Sequence, residues 1–183
     1  METICAIATA PGGAIGIVRL SGDDAISLTE KILDRNLQKK VTYAHILDNG
    51  EILDEVIVTI FRQPHSYTGE NTTEISCHGS PYILQRTMEL LVAQGCKPAR
   101  PGEFTQRAFL NHKMDLSRAE AVADLIAARS KAQQRMAMQQ MRGNFSKSLS
   151  ELRDQLLHIT SLLELELDFS DHEDLKFADR SEL

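Results

Sequence analysis

The chain has 183 residues, of which 42% are hydrophobic and 25% charged, enough to bury a real core and to form one compact domain plus an extension. Its formal charge of −6 argues against broad, sequence-independent binding of a phosphate backbone, which needs a basic face to release counterions, and leaves room only for a local basic patch. Cys5, Cys77 and Cys96 form an odd set without C-x-x-C spacing, so neither a disulfide framework nor a zinc knuckle is indicated and reduced cytosolic thiols fit best. No basic leader precedes an apolar run, and no run approaches the roughly 20 apolar residues of a membrane span, so a cytoplasmic location is expected.

Thr3 to Ala8 and Ile15 to Leu20 are β-branched and apolar, and predict two strands flanking the glycine-rich "TAPGGAIG". Asp23 or Asp24 is then placed to cap a helix reaching about Leu33. In "YAHILDNGEILDEVIVTIF" the residues Asp48, Asn49 and Gly50 separate two strand-like runs and predict a tight hairpin. A further strand over Thr72 to Ser76 leads through His78 and Gly79 to Pro81, whose missing N–H suits the first turn of a helix ending at Gly95. A short strand near Cys96 to Ala99 completes a mixed α+β domain over residues 1–115.

The composition changes at Asp115: all five prolines precede it, and of the ten glycines only Gly143 follows. Residues 116–183 read as helical. Ser117 and Glu120 have capping-box spacing and predict one helix from there to about Arg142, with Gly143 or Asn144 as its C-terminal cap. A second helix carries Leu149, Leu152, Leu156, Ile159 and Leu163 on one stripe, widened by Leu162, Leu165 and Phe169. Two helices with so broad an apolar face do not close a bundle, so further helices from elsewhere are expected to cover them.

Three segments carry candidate chemistry. The opening loop has neither G-x-x-x-x-G-K-[ST] nor G-x-G-x-x-G and reads as a glycine turn; Arg19, a charge inside the following strand, must face solvent or meet an anion. "SYTGENTTEISCHGSP" offers Glu70, Glu74, Cys77 and His78, but neighbouring strand residues face opposite sides and no second ligand stands at metal spacing. Cys77 is therefore assigned to the core and His78 to a loop, while Glu74 is either an ordinary strand residue or a carboxylate able to pair with a 2-amino-pyrimidinone edge. "ARPGEFTQRAFLNHKMDLSRAEAVADLI" interleaves Arg100, Arg107, Lys113 and Arg118 with Glu103, Asp115 and Glu120, which reads as a turn and short helix held by solvated ion pairs.

Taken together and in this order, these three segments closely resemble the N-terminal part of the bacterial MnmE/TrmE family of tRNA-modification GTPases, over essentially the whole chain. The resemblance implies a first domain, 1–115, similar to the folate-binding domain of the glycine-cleavage aminomethyltransferase, which dimerises and holds 5-formyltetrahydrofolate or 5,10-methylenetetrahydrofolate. It implies that 116–183 are the first helices of a helical domain, truncated before a GTPase domain that would use GTP, potassium and magnesium. The sequence contains no Walker A motif, N-K-x-D or Cys-x-Gly-Lys, so no GTPase or other catalytic residue is assigned within it, and no metal ligand. The family's folate contacts fall on Arg19 in "IVRLSG", Glu74 in "TTEISCHG" and Lys113 in "FLNHKMDL". The implied partners are a second copy through the first domain, a flavin-dependent tRNA-modification protein (MnmG/GidA), and tRNA, with no membrane. The implied activity of the full protein is to add a carboxymethylaminomethyl or aminomethyl group at C5 of the wobble uridine.

The glycine loop departs from the common P-G-R-G-G-x-G form: it is one residue shorter and lacks that Arg. Ser80 also stands where a second glycine is usual after His78. Two rival readings are a stand-alone folate-dependent one-carbon transferase, for which no carboxylate is convincingly placed, and a dimerisation scaffold with a vestigial folate pocket, against which the joint presence of Arg19, Glu74 and Lys113 argues.

Overall fold

The computed structural model describes residues 2–10 and 12–168, with 144–146 and 168 described by backbone alone. The chain divides into two compact units, Met1–Asp115 and Leu116–Leu183. In the first, strands β1 (Ile4–Ile7), β2 (Ile15–Ser21), β3 (Val41–Asp48), β4 (Glu51–Phe61), β5 (Thr72–His78) and β6 (Lys97–Pro98) form one sheet in the order β3-β4-β5-β2-β1-β6. Among the described strands only the β1–β6 contact is parallel. Helices α1 (Ala25–Glu30) and α2 (Pro81–Ala93) pack on one face of the sheet, and α3 (Glu103–Leu110) follows β6.

Period-two alternation sorts the two sheet faces. Cys5, Val18, Leu20, Ala44, Ile46, Val56, Val58, Ile60, Ile75 and Cys77 point into a single core with Leu28 of α1 and Leu84 and Leu91 of α2. The opposite face holds a row of paired residues, Thr59, Glu74, Arg19 and Ala6, running across β4, β5, β2 and β1. Tyr43 and Ile57, paired on β3 and β4, and Val41 are roughly half exposed, so no helix of this unit covers that part of the sheet.

Local chemistry accounts for most boundaries. Asn49 and Gly50 take φ of 49° and 87°, the paired left-handed geometry of a two-residue hairpin whose twist matches its strands. Pro81 opens α2, and Gly95, at φ 107°, follows its last turn. Helix α1 is shorter than its sequence suggests, because Leu33 bridges to Ile46 and the Asp34 N–H donates to the His45 carbonyl, drawing 33–34 onto β3. Asp24 occupies the N-cap position without a side-chain cap; its own N–H donates to Thr3 Oγ1.

The glycine loop is held by close backbone approach. The Gly79 N–H donates to the Ala14 carbonyl at 2.9 Å, and a Cβ on Gly79 would overlap the Gly13 carbonyl. A Cβ on Gly16 would likewise run into the Leu84 side chain, so this residue lets α2 sit directly on β2.

The second unit corrects the expectation of one helix from Ser117 to Arg142. It contains α4 (Leu116–Ala127), α5 (Lys131–Met141) and α6 (Asn144–Asp168). The side-chain N-cap lies at Ser130 rather than Ser117: Ser130 Oγ accepts from the Gln133 N–H at 3.2 Å, and Gln133 Oε1 reaches back past the cap to accept from the Arg129 N–H at 2.9 Å. Ser117 instead lies inside α4, its buried hydroxyl without a hydrogen-bond partner among the described residues. Gly143, at φ 75°, separates α5 from α6. Leu149, Leu152, Leu156, Leu163 and Leu165 of α6 are all substantially exposed; Phe169, assigned to the same stripe, falls outside the described residues.

Candidate functional site

Arg19 and Glu74 stand directly opposite each other on β2 and β5, so sheet register alone brings them together. Arg19 Nε donates to Glu74 Oε1 at 2.8 Å, and a second guanidinium nitrogen lies 2.7 Å from the same oxygen. The pair is half-buried, with 30% and 23% of the two side chains exposed. The Arg19 guanidinium carbon lies 5.9 Å from the Tyr67 ring centroid and 5.7 Å from that of Phe104, within cation–π range of both. Arg19 thus has a carboxylate from the neighbouring strand and aromatic rings from two further segments.

Those rings are fixed by the connection from β4 to β5 and by α3. Tyr67 Oη and Thr105 Oγ1 share a hydrogen bond of 2.9 Å, tying the connection to the helix. Beneath lies an arginine cluster. Arg107, only 6% exposed, donates to Glu70 Oε2 at 3.0 Å, to the Glu2 carbonyl at 2.9 Å and to Glu103 Oε1 at 3.3 Å. Ser21 Oγ donates to Glu70 Oε2 at 2.7 Å, which joins the cluster to β2 two residues beyond Arg19. Glu103 titrates below the usual carboxylate range, first because the Arg100 N–H donates to it and then because of Arg107. Arg107 is therefore not one of the solvated ion pairs expected from its segment: it is buried, and with a longer contact of 3.5 Å to the Ser21 carbonyl its donors serve four different residues.

Lys113 follows α3 and meets the same connection at another point. Its Nζ donates to the Pro64 carbonyl at 2.9 Å, and its aliphatic stem lies against Gly69, where a Cβ would crowd it. Arg19 and Glu74 are thus in direct contact, whereas Lys113 is related to them through residues 64–69.

His78 is not a loop residue but the last residue of β5. Its Nδ1 lies 2.6 Å from Asp54 Oδ1 and its N–H donates to Asp54 Oδ2 at 2.9 Å. The buried Asp54 carboxylate raises the imidazole pKa, by hydrogen bond first and charge second, although the ring itself is 70% exposed. Cys77 points into the core, where burial pushes its thiol up to about 12, so it is a packing residue and no nucleophile. Among the described residues no three His, Cys, Asp or Glu side chains converge as metal ligands.

A mixed α/β sheet domain followed by a helical unit is the class these features define. The family model for the N-terminus of the GTP-binding protein TrmE matches residues 3–113, and that for the MnmE helical domain matches 116–183. The tRNA modification GTPases MnmE of Bacteroides thetaiotaomicron, Parabacteroides distasonis and Porphyromonas gingivalis are 59%, 57% and 54% identical to the chain. Each alignment covers 100% of this chain but only 41%, 42% and 40% of the relative, so the chain spans about two-fifths of their length. The chain belongs to the MnmE/TrmE family and comprises its N-terminal domain and helical-domain residues.

Proposed function

We propose that this chain is the folate-binding and dimerising module, with the first helices, of a GTP-hydrolysing tRNA-modification enzyme. With a flavin-dependent partner, the full cytoplasmic protein adds a carboxymethylaminomethyl or aminomethyl group at C5 of the wobble uridine. The observation that carries the folate reading is the Arg19–Glu74 pair, with the Tyr67 and Phe104 rings against Arg19. Both short contacts from Arg19 use Glu74 Oε1, which leaves Oε2 as an acceptor for the donor edge of a pterin. Two aromatic rings at the same point suit a flat heteroaromatic ligand. The donor set therefore fits a reduced folate, with Glu74 reading the pterin and Arg19 and Lys113 serving its acceptor oxygens or glutamate tail. When bound, the folate supplies the one-carbon unit.

The partly exposed Val41, Tyr43 and Ile57 on the uncovered sheet face support association of two first domains. Equilibrium titration with 5-formyltetrahydrofolate tests the reading: Glu74→Ala should lose at least about tenfold in affinity, the scale of a charge-assisted hydrogen bond. Unchanged binding would remove Glu74 from the site.

A further inference from the structure

The net charge of −6 makes the distribution of the cations informative. In the sheet domain Arg19, Arg35, Arg86, Lys97, Arg100 and Arg107 each lie against a carboxylate, and Lys113 donates to a carbonyl. Lys31, Lys39, Lys40 and Arg62 have no side-chain hydrogen bond or ion pair among the described residues, and all four are exposed. Lys31 stands apart at the end of α1, but the other three are gathered. Together with the exposed His65 they line one pocket of about 260 Å³, whose apolar part is Ile60 and Phe61 and which no carboxylate lines.

Backbone bonds gather these groups from two distant segments. The Ile60 N–H donates to the Lys40 carbonyl at 2.8 Å, setting the approach to β3 beside the end of β4. The His65 N–H donates to the Arg62 carbonyl at 2.8 Å, forming the turn that presents both side chains. Like charges gathered without counter-ions repel one another, a cost that an anionic partner removes.

We infer that this pocket binds the phosphodiester backbone of RNA and, resting on the function proposed above, that of the tRNA substrate. A compact free anion is the poorer match, since every charged group here is exposed and no buried polar side chain closes around a small ligand. An extended polyanion instead gains from each phosphate neutralised, by releasing condensed counterions. The half-buried Phe61 adds apolar surface of the kind that single-stranded RNA uses for its bases.

The test is fluorescence anisotropy with an end-labelled, unmodified tRNA transcript, titrated between about 50 and about 200 mM salt. Combined Lys39→Gln, Lys40→Gln and Arg62→Gln should weaken binding about 30-fold near the middle of that range. The slope of log affinity against log salt should fall by about two. A control with Lys131→Gln, Lys147→Gln and Arg153→Gln, which removes the same charge from the helical unit, should stay within about twofold of the parent. If the pocket variant unfolds early in urea, the three single substitutions carry the test, each lowering the slope by about 0.7. A parent that binds tRNA while the pocket variant binds equally well, or while the control loses as much, overturns the pocket alone. A parent that binds no tRNA overturns the pocket and the tRNA reading together.

Discussion

Arg19–Glu74 and Arg107–Glu70 are chemically the same pair in two surroundings. The first lies on the sheet face opposite the core with 30% and 23% of its side chains exposed; the second has 7% and 9% exposed. Around Arg107 and Glu70 each charge meets several partners: Ser21, Glu103 and two backbone carbonyls complete the cluster. Around Arg19 the short contacts converge on one carboxylate oxygen, and the rest of the guanidinium is met by aromatic faces. A saturated buried pair holds the β4–β5 connection and α3 in place. An unsaturated, half-exposed pair keeps bonding capacity for a ligand.

The largest effect should come from breaking the buried pair. Glu70→Ala leaves the Arg107 guanidinium without its main carboxylate in the interior, and urea denaturation should show a loss of about 3–5 kcal/mol. A loss below about 1 kcal/mol would mean that Glu103 and the carbonyls satisfy Arg107 alone and would erase the contrast. Glu74→Ala should cost less than about 1 kcal/mol in the same measurement, because solvent screens the exposed pair. The variant expected to lose folate should therefore remain well folded. A Glu74→Ala destabilisation matching that of Glu70→Ala would make both pairs structural.

Asp54–His78 is intermediate, a buried carboxylate under an exposed imidazole, and it sharpens the comparison through pH. Folding raises the proton affinity of His78, so the stability it contributes is fully present below the unfolded imidazole pKa of about 6.5. That contribution is lost as pH rises through the higher folded value. Nuclear magnetic resonance titration should place His78 above about 6.5 in the parent and bring it back toward that value in Asp54→Asn. An imidazole that titrates identically in both proteins would show that Asp54 serves the His78 backbone N–H alone.

How far the fold is legible in the sequence depends on how local its determinants are. Asn49–Gly50, Pro81 and Gly95 act through their own dihedral angles, and the elements they bound lie where their chemistry puts them. Helix α1 and the break between α4 and α5 are harder. The end of α1 depends on Leu33 and Asp34 finding β3, and two S-x-x-[EQ] patterns compete within one helical stretch. The candidate site shows the same division. Arg19 stood out as a charge within an apolar strand, but its pairing with Glu74 requires the β2–β5 register across 55 positions. Nothing in the segment around Arg107 distinguishes it from its exposed neighbours, because its carboxylate partner Glu70 lies 37 positions away. The pocket of Lys39, Lys40, Arg62 and His65 is hidden for the same reason, being split between the approach to β3 and the exit of β4.

The break at residues 128–130 has a mechanical consequence. An unbroken helix over 116–141 would be a stiff rod of about 40 Å at 1.5 Å per residue, with its two ends far apart. Capped anew at Ser130, the chain doubles back: Gln140 reaches the Ser117 carbonyl at 3.1 Å, and Gly143 packs against the Arg118 side chain. The base of α6 is thereby brought beside the first turn of α4. A push on that base reaches the start of the helical unit across one side-chain contact, where a rod would have spread it along its whole length.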